Sequence, residues 1–166
     1  MIISSGPCRL FVLNPPRGPR QSDGGAGDMA LRRSEEETIA KSGSLLNNLS
    51  VVTRLDCGPQ TFLFTADIEA NALRALNERS ATAGVRVLKV PHHGARSSLD
   101  EEWLRQVRPE VAVISVGRHN SYGHPTAEVL AAYEKDGVQL YRTDRQGAVW
   151  ITAQVSSPAL QVQTAR

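Results

Sequence analysis

At 166 residues the chain is of single-domain size, and its 40% hydrophobic and 22% charged residues suit a soluble globular protein with a real core. A formal net charge of +2 is too even to signal a nucleic-acid or membrane partner on electrostatics alone, and 5% aromatics argue against a stacking platform for single strands. Apolar runs of about six residues fall far short of the ~20 of a spanning helix, and the N-terminus has neither the charged nor the long apolar region of a secretory signal, so a soluble chain is expected. Cys8 and Cys57 have no spacing for a thiolate metal site. A disulfide between them is possible on count, but two separate half-buried thiols are the expectation.

Arg9–Leu13, closed by Asn14-Pro15-Pro16, reads as a strand. Residues 17–44 are rich in glycine and charge and read as a mobile loop or insertion, with a short helix over Arg32–Lys41. Leu49–Leu55 and Thr61–Thr65 flank the turn Asp56-Cys57-Gly58-Pro59, giving a hairpin. A helix over Ile68–Leu76 and a strand over Val85–Val90 follow. Ser98-Leu99-Asp100-Glu101 has capping-box spacing for a helix carrying Trp103, Leu104 and Val107, which Pro109 ends. Val111–Val116 reads as a strand covered on both faces. A helix over Thr126–Lys135, a strand over Val138–Arg142, a turn at Asp144–Gly147 and a strand over Ala148–Thr152 complete the pattern. The polar tail from Gln154 is expected to fray. A hairpin followed by strand–helix alternation implies a layered α/β domain with a mixed sheet. Only one strand is read before residue 45, so the sheet looks as though its opening part is missing.

Three strand ends carry the chemistry. Asp67 follows the strand 61–65, His92 and His93 follow the strand ending at Val90, and Asn120-Ser121-Tyr122-Gly123-His124-Pro125 follows the strand ending at Val116. Open α/β sheets place ligands at such carboxyl ends. Each residue also has an ordinary reading: Asp67 as a helix N-cap, the histidine pair as exposed polar residues, His124 as a turn residue. Together they suit metal-assisted phosphoester hydrolysis, in which a carboxylate and a neutral imidazole ligate metal and a second imidazole meets a phosphate oxygen. Asp67 and His124 are only two ligands, however, where a catalytic zinc normally takes three.

These motifs in this order resemble the metallo-β-lactamase fold, and more narrowly the C-terminal hydrolase domain of the ComEC family of bacterial competence proteins. The matching text is Asn47–Val52, Phe62–Asp67, Leu88–Gly94, Pro109–Gly117, Asn120–Pro125 and Tyr141–Asp144, within residues 45–153. The resemblance implies a partial αββα sandwich, with Asp67 and His124 as metal ligands, His92 and His93 as the catalytic pair at the phosphate, and Asn120 and Ser98 lining the substrate pocket. It implies a divalent metal, zinc or manganese, and DNA as substrate. The parent proteins lie in the bacterial inner membrane with this domain at the membrane surface, whereas this chain has no segment for direct insertion. The chain departs from the pattern in three ways. The His-x-His-x-Asp-His motif that should precede these segments is absent, Thr-Gly-Asp reads Thr65-Ala66-Asp67, and Gly94 is followed by Ala95 where serine is usual. The missing N-terminal half of the domain, or the parent membrane protein, is therefore an expected partner. The rival expectation is a non-catalytic remnant that binds nucleic acid or a protein partner.

Overall fold

The structure, a computed structural model, describes residues 1–15, 43–78 and 81–166. In chain order its elements are β1 (Ile2–Ser5), β2 (Cys8–Asn14), α1 (Gly43–Asn48), β3 (Val52–Cys57), β4 (Gln60–Phe64), α2 (Ala70–Asn77), β5 (Val87–Lys89), α3 (Glu101–Val107), β6 (Val111–Ile114), α4 (Ala127–Lys135), β7 (Gln139–Arg142), α5 (Thr143–Gln146), β8 (Val149–Ala153) and β9 (Leu160–Thr164). Two 3-10 turns, Pro91–Gly94 and Arg96–Ser98, lie between β5 and α3.

Seven strands form one mixed sheet in the order β1 to β7. β1 to β4 run antiparallel, with tight turns joining β1 to β2 and β3 to β4, and β4 to β7 run parallel. The parallel strands need crossovers, and α2, α3 and α4 supply them. This is the layered α/β fold with a mixed sheet that the strand–helix alternation predicts.

The helices share one face of the sheet. Leu73 and Leu76 from α2, Trp103, Leu104 and Val107 from α3, and Val129, Ala132 and Tyr133 from α4 form one core with Leu63, Leu88, Ala112 and Ile114 from the strands. Each fully buried large side chain contributes roughly 1.5–3 kcal/mol. Strand side chains alternate between faces, so the neighbours of these core residues form a second apolar face. Ile3, Leu10, Leu55, Phe62, Val87 and Val111 lie in register across six strands of it. Val87 and Val111 are buried yet lie outside the helix-side core. The hairpin β8–β9 covers that end, with Leu160 and Val162 facing Val111 across a cavity and Arg86 donating to the Pro158 carbonyl at 2.7 Å. Toward the other edge the face is open: Phe64 is 46% and Ile3 52% exposed.

Several expectations are corrected. Cys8 and Cys57 are cross-strand partners in β2 and β3, with Cα atoms 4.2 Å apart, and they form a disulfide rather than two thiols. The cap of α3 is Asp100, whose carboxylate accepts from the Trp103 amide at 2.9 Å; Ser98 sits in the preceding 3-10 turn. Asp67 is not the cap of α2, because that helix starts at Ala70 and its N-cap position is Glu69. Residues Gly43–Asn48 form a helix ahead of β3, which begins at Val52 and not Leu49. Thr143–Gln146 is a short helix in place of the turn at Asp144. The tail does not fray over Leu160–Thr164, which pairs as β9 with β8 through its alternating Leu160 and Val162. The helix expected over Arg32–Lys41, and the insertion up to residue 42, lie outside the described residues.

Candidate functional site

Three loops at the carboxyl ends of β4, β5 and β6 meet. The first, Thr65-Ala66-Asp67, is tied to the second by its backbone: the His92 amide donates to the Ala66 carbonyl at 3.0 Å, and Lys89 Nζ donates to the same oxygen at 2.9 Å. The second is joined to the third through Gly94, whose carbonyl accepts from the Thr126 amide at 3.0 Å. A Cβ on Gly94 would lie 2.6 Å from Pro125 Cβ, so only glycine allows this approach. Ala66, His92 and His93 all adopt positive φ, at 47°, 45° and 56°. Such conformations cost non-glycine residues about 1–2 kcal/mol each and cluster where function fixes the backbone.

Two carboxylates two residues apart address the two adjacent imidazoles. Asp67 Oδ1 lies 3.4 Å from His93 Nε2 and 3.9 Å from Lys89 Nζ. Burial pushes the Lys89 ammonium below the usual lysine range, while the Asp67 carboxylate pulls it back up. On the other side of the ring, His93 Nδ1 is 2.6 Å from the Ser115 carbonyl, which can only accept, so Nδ1 carries a proton and Nε2 is the atom turned to Asp67. Glu69 Oε1 lies 3.5 Å from His92 Nδ1. Burial disfavours the charged form of Glu69, but donors from Ser44, Asn47 and Ser97, together with His92, outweigh it and hold the carboxyl below its usual range.

His124 closes the cluster, its ring centroid 5.8 Å from that of His92 and 6.0 Å from stacked Tyr122. Asn120 clamps it, accepting from the His124 amide at 3.0 Å and donating to its carbonyl at 2.8 Å. Burial pushes the His124 imidazole below the ordinary histidine range, and nearby His92 and His93 act in the same direction. It is therefore neutral at pH 7, the form that ligates metal. Its Nδ1 is buried without a hydrogen-bond partner, as is His92 Nδ1. A cavity of about 470 Å³ opens on the cluster, lined by His93, Ser115, Gly117, Asn120, Tyr122 and His124 among others.

The structure thus brings Asp67, His92, His93, His124 and Asn120 together. It does not bring Ser98, which is buried with its hydroxyl directed at the Pro91 and Ala95 carbonyls, 3.1 and 2.8 Å away. Ser98 props the turn that carries the histidines. Among the described residues, no three His, Cys, Asp or Glu side chains converge closely enough to hold a metal ion. These donors alone do not fit a closed metal site. Sequence reasoning missed Glu69 and Lys89, whose roles depend on burial. It also missed what Asn47–Ser50 does. The Asn48 side chain accepts from the Glu69 amide at 3.0 Å and Ser50 Oγ from the Asp67 amide at 3.3 Å, so this segment seats both carboxylates.

No protein-family model matches the chain. It is 33% identical over 103 residues to ComE operon protein 3 of Bacillus subtilis, covering 62% of the chain and 13% of that protein. It is 34% identical over 120 residues to Competence protein ComA of Neisseria gonorrhoeae, covering 72% of the chain and 17% of that protein. It is 35% identical over 123 residues to Recombination protein 2 of Haemophilus influenzae, covering 72% and 15%. The matched part thus spans only about a sixth of each relative or less.

Proposed function

We propose that this chain is the phosphate-handling part of a ComEC-like metal-dependent hydrolase domain, of the metallo-β-lactamase type, that cleaves DNA phosphodiesters during competence DNA uptake. The observation that carries the reading is the convergence of Asp67, His92, His93 and His124 from three strand ends, with His93 and His124 lining one cavity. The relatives named for competence and recombination supply the biological setting. Asp67 and His124 join donors from outside the described residues to hold zinc or manganese, since two ligands do not suffice. The Ser115 carbonyl takes the Nδ1 proton of His93, so Nε2 is the nitrogen left for a phosphate oxygen, to which it donates a proton in the imidazolium form that carries hydrogen on both nitrogens, a contribution of typically 10²–10⁴-fold. Asn120 holds the loop that presents His124. The open part of the second sheet face, with Phe64 and Ile3 exposed, is where the completing half of the domain packs. No helix among the described residues is long and apolar enough to cross a membrane.

The test pairs the chain with the polypeptide encoded in frame upstream of its Met1 codon and measures cleavage of end-labelled linear DNA with Mn²⁺ or Zn²⁺. Cleavage is expected to fall at least 100-fold in Asp67→Ala and in His93→Ala. An upstream frame without His-x-His-x-Asp-His, or cleavage indifferent to Asp67→Ala, refutes the reading. Salt-dependent DNA binding by this chain without metal would instead favour the remnant that serves as a nucleic-acid-binding module.

A further inference from the structure

Tyr122 is the most exposed of the large apolar side chains among the described residues, at 81%, and it takes no part in the core. A single exposed tyrosine needs no explanation by itself, but this one stands at the mouth of the candidate site on a loop held at both ends. Asn120 Nδ2 donates to the Gly117 and His124 carbonyls at 3.2 and 2.8 Å, and the His124 amide donates back to Asn120 Oδ1 at 3.0 Å. Just beyond, the Thr126 amide pins the chain to the Gly94 carbonyl. The Tyr122 ring lies within 18° of parallel to that of His124, with centroids 6.0 Å apart, an offset stack. Both rings line the cavity of about 470 Å³ together with His93. A flat aromatic ring is thus presented to solvent beside the histidines, where burial does not explain its place.

We propose that Tyr122 is the base-contacting residue of the site, stacking on an unpaired nucleobase whose phosphate meets His93. A nucleotide carries its base one sugar away from its phosphate, so a phosphate held at His93 leaves the base beside a ring that lines the same cavity. Every nucleobase offers a flat π face, so the contact is indifferent to sequence. Inside a duplex both faces of a base are already covered by its neighbours, so the base that Tyr122 takes has left the stack. The substrate class that follows is DNA with an unpaired nucleotide at the site, either a single strand or a frayed end. One ring is no platform for a continuous strand, in keeping with the 5% aromatic content, but it is enough for one base. That the phosphate is one to be cleaved rests on the function proposed above; the stack on Tyr122 does not.

The test titrates the full chain, isotope-labelled in its tyrosine rings and backbone amides, with deoxyadenosine monophosphate and separately with deoxyribose phosphate, the same ligand without its base. The Tyr122 ring resonances are expected to move upfield with the nucleotide and to stay in place with the sugar phosphate. Tyr133, buried in the core, should stay in place with both and is the internal reference. Followed through the His124 amide, affinity for the nucleotide should fall roughly 5- to 150-fold in Tyr122→Ala and be kept in Tyr122→Phe, which retains the flat ring. Both ligands carry the same phosphate, so the difference between them should not change with salt, unlike the DNA binding that marks the remnant. Equal responses of wild-type Tyr122 to the two ligands, or no response to either, overturn the inference even if a variant fails to fold. So does a nucleotide affinity that survives Tyr122→Ala, or one lost equally in Tyr122→Phe. None of these readouts uses DNA cleavage or Asp67, so failure of the proposed activity and failure of this inference are separable.

Discussion

The junction between the histidine loop and the His124 loop rests on one glycine, and its replacement tests how tightly the site is assembled. Gly94 has φ of +78°, and an added Cβ would meet Pro125 Cβ at 2.6 Å and Pro125 Cα at 3.1 Å. The left-handed backbone costs an alanine about 1–2 kcal/mol, and forcing extra volume into a packed contact adds about 1–3 kcal/mol. Gly94→Ala should therefore destabilise the protein by about 2–5 kcal/mol. At ~3 °C per kcal/mol for a chain of this size, the midpoint falls by about 6–15 °C. Gly123 is the control, with φ of +71° but no neighbouring heavy atom within 4 Å of its added Cβ. Gly123→Ala should incur only the backbone part, about 1–2 kcal/mol. Urea midpoints for both variants, at unchanged m, give the comparison. If Gly94→Ala is no more destabilising than Gly123→Ala, the Gly94–Pro125 contact is not what holds the two loops together.

Three further outcomes are expected. Ala66→Gly should stabilise the protein by a net ~0.5–1 kcal/mol in urea unfolding, because it relieves the left-handed φ of 47° and returns only part of that gain as unfolded-chain entropy. Acid should unfold the protein through its paired carboxyls. The Arg142 guanidinium holds Asp144 below the usual range against the opposing effect of burial, so its stabilisation is fully present above about pH 5 and lost as pH falls below about 4. Asp144→Asn should lower stability at pH 7 by about 3 kcal/mol, because Arg142 is left largely buried without its partner. It should also flatten the slope of stability against pH below 5; a slope equal to wild type would refute the pairing. Reduction of the Cys8–Cys57 bridge, or Cys8→Ser, should lower stability by roughly 4 kcal/mol, given the 49-residue separation it closes. Urea midpoints with and without dithiothreitol measure this directly.

Periodicity and punctuation alone determined the layered α/β class, the β3–β4 hairpin, the parallel run and the loops in which Asp67, His92, His93 and His124 fall. Those signals are local: alternation, apolar runs, proline and glycine. Tertiary structure decided the rest, because the deciding contacts join distant residues. The Cys8–Cys57 bridge depends on the register of β2 against β3. β9 exists because Leu160 and Val162 find an apolar sheet face to cover, which a polar tail read alone does not reveal. Ser98 has the right spacing for a cap, but burial turned its hydroxyl to the Pro91 carbonyl and left the capping to Asp100. Glu69 looked like any surface glutamate at the start of a helix. Only the docking of α1, which places Ser44 and Asn47 against it, makes it a buried anion facing His92.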